Sequence, residues 1–326
     1  MKRIFKNTLI FVAIITTVQC AQDKNIIQKR NVAYDFTFAE LADKYFETND
    51  STYLQKIAEL DATEHLLNHS KRFKYNLPNN TKLELVTYLL TSKNNREKLA
   101  DFKRNLKYAK RHIAETDVSQ EIALQFLPKD FTFSSTLYFT FGYDIGVVYG
   151  KNASLNLAHR FFLENMNELK YYSIHELHHA GFIMLKNNVM PSLDITNYLE
   201  MKQVIEYLTH LEGMGTYAPL ELREKENAMN IDKDYVALQD PALMKEYEKE
   251  YFEIYFHFKN NPDSILTEDD WNKMHILSDN KRLWYRVGAK MAQTIDQKLG
   301  RERLVSLIPE PSGNFIATYL QIVNTQ

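Results

Sequence analysis

Residues 175–179 read His-Glu-Leu-His-His, and this pentapeptide constrains the fold more than any other feature of the chain. In the H-E-x-x-H pattern two histidines four positions apart share one face of a helix. His175 and His179 can therefore present two imidazole nitrogens to a single zinc ion. Glu176 then lies beside the metal as the candidate general base. His178 projects about 100° away from His179, so it is expected at the surface or behind the ligands rather than on the metal.

The surrounding sequence supplies the helix. Residues 161–185 read FFLENMNELKYYSIHELHHAGFIML, with no proline and a single glycine. Apolar residues recur at Leu169, Tyr172, Ile174, Leu177, Ala180 and Ile183, a helical spacing that buries one side. Two histidines leave a catalytic zinc site incomplete, because such a site takes three protein ligands. The metzincin continuation is absent: residues 180–186 read AGFIMLK. The next helical segment, residues 198–218, carries three candidates for the third ligand, Glu206, His210 and Glu212. Glu212 is followed by Gly213 and Gly215. Each glycine costs about 1 kcal/mol in a helix interior, so the pair asks for a reason, and close approach of two helices would provide one.

The sequence Glu212-Gly213-Met214-Gly215-Thr216-Tyr217 resembles the gluzincin E-G-x-A-x-Y segment, with Gly215 standing where alanine is common. Together with Tyr285-Arg286-Val287-Gly288 inside RLWYRVGAKMAQTI, the motif order over residues 120–325 is similar to that of a group of bacterial zinc-dependent peptidases. The resemblance implies peptidase chemistry, a Zn2+ cofactor, and Glu212 as the third ligand beside His175 and His179. It also implies a tyrosine or histidine that stabilises the oxyanion; Tyr217 and Tyr285 are the candidates, with His210 behind them. Carboxylates should orient the ligand histidines, and Asp194 is the residue considered for that role.

Glycine usage points to a sheet ahead of the motif helix. None of the nine glycines precedes Gly142, and Gly142, Gly146 and Gly150 then cluster. Leu137, Phe139 and Phe141 alternate with Tyr138 and Thr140, a strand pattern; residues 147–149 and 153–157 add short strands. In gluzincins the edge strand of such a sheet pairs with the substrate backbone, and residues 151–157 are the expected edge.

Elsewhere the chain reads as helical. Residues 36–127 form amphipathic helices punctuated at 49–50, 78–80 and Pro128, with a capping box at Thr81 and Glu84. After Pro219 helices are expected over 235–258 and 278–299, with a last one ending near Val323. The basic residues within 96–115 are interleaved with acids and read as a solvated face. The fold class expected is mostly α with a small antiparallel β-sheet (α+β), a zincin-like core flanked by helical lobes. The expected divisions are residues 1–21 as signal peptide, 22–130 as a helical lobe, 131–220 as the catalytic core and 221–326 as a second helical lobe.

Lys2, Arg3 and Lys6 precede the apolar run 9–18, a signal-peptide pattern too short to span a bilayer. Cys20, the sole cysteine, is either a lipidated N-terminus or lies beside an ordinary cleavage site. The expected location is the periplasm, the cell envelope as a lipoprotein, or the medium. The only membrane contact expected is through a lipid on Cys20, and no intrachain disulfide is available. A net charge of −2 gives no reason to expect nucleic acid. The expected partner is a peptide or protein substrate. The alternatives are a non-catalytic exported binding protein on the same scaffold, or a zinc hydrolase acting on a non-peptide amide or ester.

Overall fold

The computed structural model describes residues 26–28, 31–92 and 99–325. The expected signal peptide and Cys20 lie outside the described residues. The N-terminal part runs through β1 (Ile26–Gln28), β2 (Val32–Asp35), α1 (Thr37–Thr48), α2 (Thr52–Ala58), α3 (Asp61–Arg72), α4 (Lys82–Thr91), α5 (Leu99–Ala109) and α6 (Val118–Gln125). The capping box at the start of α4 forms: the Glu84 amide donates to Thr81 Oγ1 at 3.1 Å, and the Thr81 amide donates to Glu84 Oε2 at 3.2 Å.

Then come β3 (Ser135–Thr140), β4 (Gly146–Tyr149) and β5 (Asn152–Asn156), where alternation and turn glycines placed them. The five strands make one sheet in the order β1-β2-β3-β5-β4. Its outer pairs are antiparallel, whereas β2–β3 and β3–β5 run parallel. The fold is mostly α with a small sheet, as expected, but the sheet is mixed rather than antiparallel. The reason is long-range: β2 pairs with β3 across all of α1–α6, and a parallel pair needs a crossover of that kind. The edge position also differs from expectation. Gly150, with φ at 61°, turns the chain so that β5 folds back between β3 and β4. The exposed edge is therefore β4, and residues 151–157 lie inside the sheet.

The second half is helical: α7 (Arg160–Glu164), α8 (Glu168–Leu185), α9 (Tyr198–Tyr217), α10 (Leu220–Lys225), α11 (Lys233–Leu238), α12 (Pro241–Lys259), α13 (Glu268–His275), α14 (Leu283–Leu299), α15 (Arg301–Ser306) and α16 (Gly313–Asn324). Three expected helices are shorter or split. The 161–185 stretch breaks at Asn165, and 235–258 breaks where Asp240 caps a helix opened by Pro241. The 278–299 helix starts only at Leu283, because Arg282 is left-handed. No described helix is long and apolar enough to cross a membrane.

Two helix crossings position the site. α8 is covered by α6, the sheet and α9, so it is buried on nearly every side. That is why His178 is fully buried beside Phe182 and not at the surface: a turn of 100° on this helix still faces the interior. α9 crosses α14 at Gly213 and Gly288, where a Cβ on Gly213 would lie 2.5 Å from the Gly288 Cα. The glycines of the two C-terminal motifs thus meet each other. At the start of α8, Glu168 pairs with Arg223 of α10 at 2.8 and 2.5 Å, both side chains buried. The Arg223 guanidinium is sandwiched between Tyr171 and Tyr235, which fixes the first turn of the motif helix against the C-terminal part.

Candidate metal centre

α8 and α9 bring His175, His179 and Glu212 together. The three donor atoms lie within 4.8 Å of one another. Both imidazoles aim Nε2 at the same oxygen, Glu212 Oε2, at 3.3 Å for His175 and 3.0 Å for His179. Donors about 2.0–2.1 Å from a tetrahedral zinc stand about 3.3 Å apart, so these spacings suit a shared ion, and two imidazoles with one carboxylate are a zinc donor set. The site also has the sign of charge that attracts a cation. Burial favours a protonated Glu212, but the His179 charge and the two imidazole hydrogen bonds outweigh it and hold the carboxyl well below the usual range. His179 shows the reciprocal effect: burial pushes it down, and Glu212 more than restores it, leaving it raised. His175 falls to about 4, through burial first and the neighbouring His179 charge second. The lowered Glu212 and raised His179 both reflect a positive charge favoured beside this carboxylate, the role a metal cation would fill.

Gly215 makes this convergence sterically feasible. A Cβ there would lie 2.4 Å from His179 Cε1 and 3.0 Å from His175 Cε1. Gly215 is therefore the residue against which both imidazole rings rest. Gly215→Ala is expected to displace the rings and weaken zinc binding by about 10–100-fold, the size of effect seen when support behind a ligand is lost. Competition with a chromophoric chelator measures it; unchanged zinc affinity would refute the packing argument.

Glu176 is buried and points at the sheet edge. A Cβ on Gly146 of β4 would come 2.5 Å from Glu176 Oε1, so the edge strand passes directly over this carboxyl. Burial raises its pKa to about 8, with the His179 charge opposing and the carboxylates of Glu212 and Asp144 adding to the rise. All four residues line a cleft of about 780 Å³. His69, Phe73 and Tyr75 from the N-terminal part line it too, as do Arg282 and Tyr285 from the α14 side.

The tyrosine candidates separate cleanly. Tyr285 lines the cleft with its ring stacked at 6.3 Å on that of His175, and its hydroxyl has no hydrogen bond to the described residues. Tyr217 is not at the site. Its hydroxyl donates to Asp296 at 2.7 Å and its ring packs edge-on against Phe126. His210 is also withdrawn, stacked on Phe315 at 4.4 Å in the interior. Glu206 is engaged by Lys202 and the Tyr255 hydroxyl, away from the ligands. The expected orienting carboxylate does not appear behind His179, whose buried Nδ1 has no partner among the described residues. Asp194 instead pairs with Lys74 on the surface.

The sequence reading missed Gly146, Arg282, and Tyr75, whose hydroxyl donates to Asp144 at 2.6 Å. Tyr75 sits outside the helices, where no periodic signal marks it, and Arg282 lies in the 278–299 stretch expected as helix but just ahead of the helix that forms.

A family model described as "Putative zinc dependent peptidase (DUF5700)" matches residues 42–326 of the chain. No curated protein and no solved structure matches it.

Proposed function

Because the chain belongs to this family of zinc-dependent peptidases, we propose that it is an exported metallopeptidase of gluzincin type with Glu176 as general base. One observation carries the reading: His175, His179 and Glu212 converge on one point, while Glu176 lies next to them against Gly146 of the exposed edge strand. A zinc ion held by those three side chains would supply a Lewis acid that polarises a carbonyl and makes water more acidic. Everything else falls to the chain. The free edge of β4 offers main-chain donors and acceptors to an extended peptide, which places the scissile bond over Glu176. Glu176 takes a proton from water and returns it to the leaving amine. The unengaged Tyr285 hydroxyl donates to the developing oxyanion.

The test is digestion of a defined peptide library by the zinc-loaded chain, with new termini identified by mass spectrometry. Cleavage should stop with 1,10-phenanthroline and return with zinc. Tyr285→Phe should slow it by about 10²-fold, as loss of one oxyanion donor does elsewhere, with Tyr217→Phe close to wild type. A library left intact by zinc-loaded protein would sink the peptidase reading and favour the binding-protein alternative.

A further inference from the structure

Arg282 stands on the cleft wall with its guanidinium 3.6 Å from the centre of the Tyr285 ring, the same ring that stacks on His175. Its backbone is left-handed, φ 49° and ψ 46°. A long side chain rarely adopts that conformation unless its surroundings hold it there, and strain of this kind gathers at functional sites. The restraint is visible: Nε donates to both oxygens of Asp234, at 3.1 and 2.9 Å.

Asp234 is shared. It also accepts from Arg286 Nε at 2.9 Å, and Arg286 Nη1 donates to the Tyr247 hydroxyl at 3.2 Å. Two guanidinium ions on one carboxylate leave a surplus positive charge. Arg286 and Asp234 are buried at 8% and 5% side-chain exposure, while Arg282 is 34% exposed. The surplus therefore faces the cleft. The terminal amino groups of Arg282 have no hydrogen bond to any described residue. Among the described residues Asp234 is the acid that bonds Arg282; Asp232 accepts the Tyr172 hydroxyl and stands 3.9 Å from Arg223, Asp279 accepts from Ser278 and contacts His275, and Glu164 pairs with Arg160.

We propose that Arg282 is the specificity residue of a carboxylate subsite, so that this peptidase selects peptides presenting a carboxylate close to the scissile bond. The inference rests on the peptidase reading above. A guanidinium fixed by stacking and by its Nε clamp presents two parallel N–H donors, the geometry that matches a planar carboxylate and that a lysine cannot reproduce. Two sources share this chemistry, a peptide C-terminus and an Asp or Glu side chain.

Binding to the zinc-loaded Glu176→Gln chain, which leaves peptides uncut, tests it. Short peptides would be titrated calorimetrically as free acids, as C-terminal amides, and as amides carrying internal Glu or Gln. Carboxylate-bearing peptides should bind about 10-fold more tightly than their neutral counterparts. Arg282→Gln should reduce the preference to within about 2-fold, and Arg282→Lys should restore only part of it. The free-acid and internal-Glu arms report which source the subsite takes. Peptides that bind with no carboxylate preference, or a preference that survives in a folded Arg282→Gln protein, overturn the subsite and leave the peptidase reading intact. Failure of every peptide to bind overturns both.

Discussion

Replacing Glu176 with glutamine is expected to lower peptide hydrolysis by about 10²–10⁴-fold while leaving zinc content unchanged, the range that loss of a general base produces. Glutamine keeps the shape of the side chain against Gly146 but cannot take a proton, and the three metal-facing groups are untouched. Activity within a few-fold of wild type would remove Glu176 from the mechanism. The same substitution has a second consequence in the metal-free protein. Burial raises the Glu176 carboxyl from 4.5 to about 8, so the fold prefers its protonated form. A raised acid contributes stability in full below its unfolded pKa and loses it as pH rises through the folded one. Metal-free wild type should therefore lose thermal stability between about pH 4.5 and 8 relative to metal-free Glu176→Gln. Melting temperatures of both proteins across this window decide it: curves that run parallel would mean the carboxyl is not desolvated as the geometry requires.

What the sequence disclosed and what it withheld follow from the range of the forces involved. The motif helix was legible because its spacing is local: histidines four apart must share a helix face, and they do. Glu212 was legible through its glycines, which have a cost in a helix that only a close crossing offsets. The identity of that crossing was not. Gly213 accommodates α14, and Gly215 accommodates the ligand rings, a division that exists only in the packed structure. Tyr217 shows a different kind of miss. Five positions beyond Glu212, it lies about 140° around α9, so helical geometry alone turns it away from the metal face. For His178 the sequence left two places open, the surface or behind the ligands, and the packing excludes the first, since a helix enclosed by α6, the sheet and α9 has no surface for it to reach. The parallel β2–β3 pairing joins Val32–Asp35 to Ser135–Thr140 across six helices. No local pattern encodes such a contact. The Asp234 pairing with Arg282 and Arg286 is equally non-local, and a run of charges in sequence says nothing about which of them will share a partner.

Removing a metal-facing side chain should have the other large effect. His179→Ala and Glu212→Ala are each expected to bring zinc from about one ion per chain to nearly none and to abolish hydrolysis. The loss should exceed the roughly 10–100-fold penalty of an outer-shell change, because two remaining donors do not complete the site. Zinc bound only by the folded state adds stability, about 4 kcal/mol at a free concentration a thousandfold above Kd, so the wild type should melt higher with zinc and both variants should not. Competition with protons sharpens the test. Glu212 is held below 4.5 and His179 above 6.5 in the metal-free site, so their mutual pairing stabilises the fold mainly between those values. It weakens as pH falls far enough to protonate Glu212, and as pH rises through the His179 value. A bound metal must displace the His179 proton. Zinc affinity should accordingly drop about tenfold per pH unit once pH falls below the raised His179 pKa. Zinc retained at full stoichiometry in either variant, or a wild-type affinity flat across that range, would mean the ion is held by other groups and would dismantle the three-ligand centre.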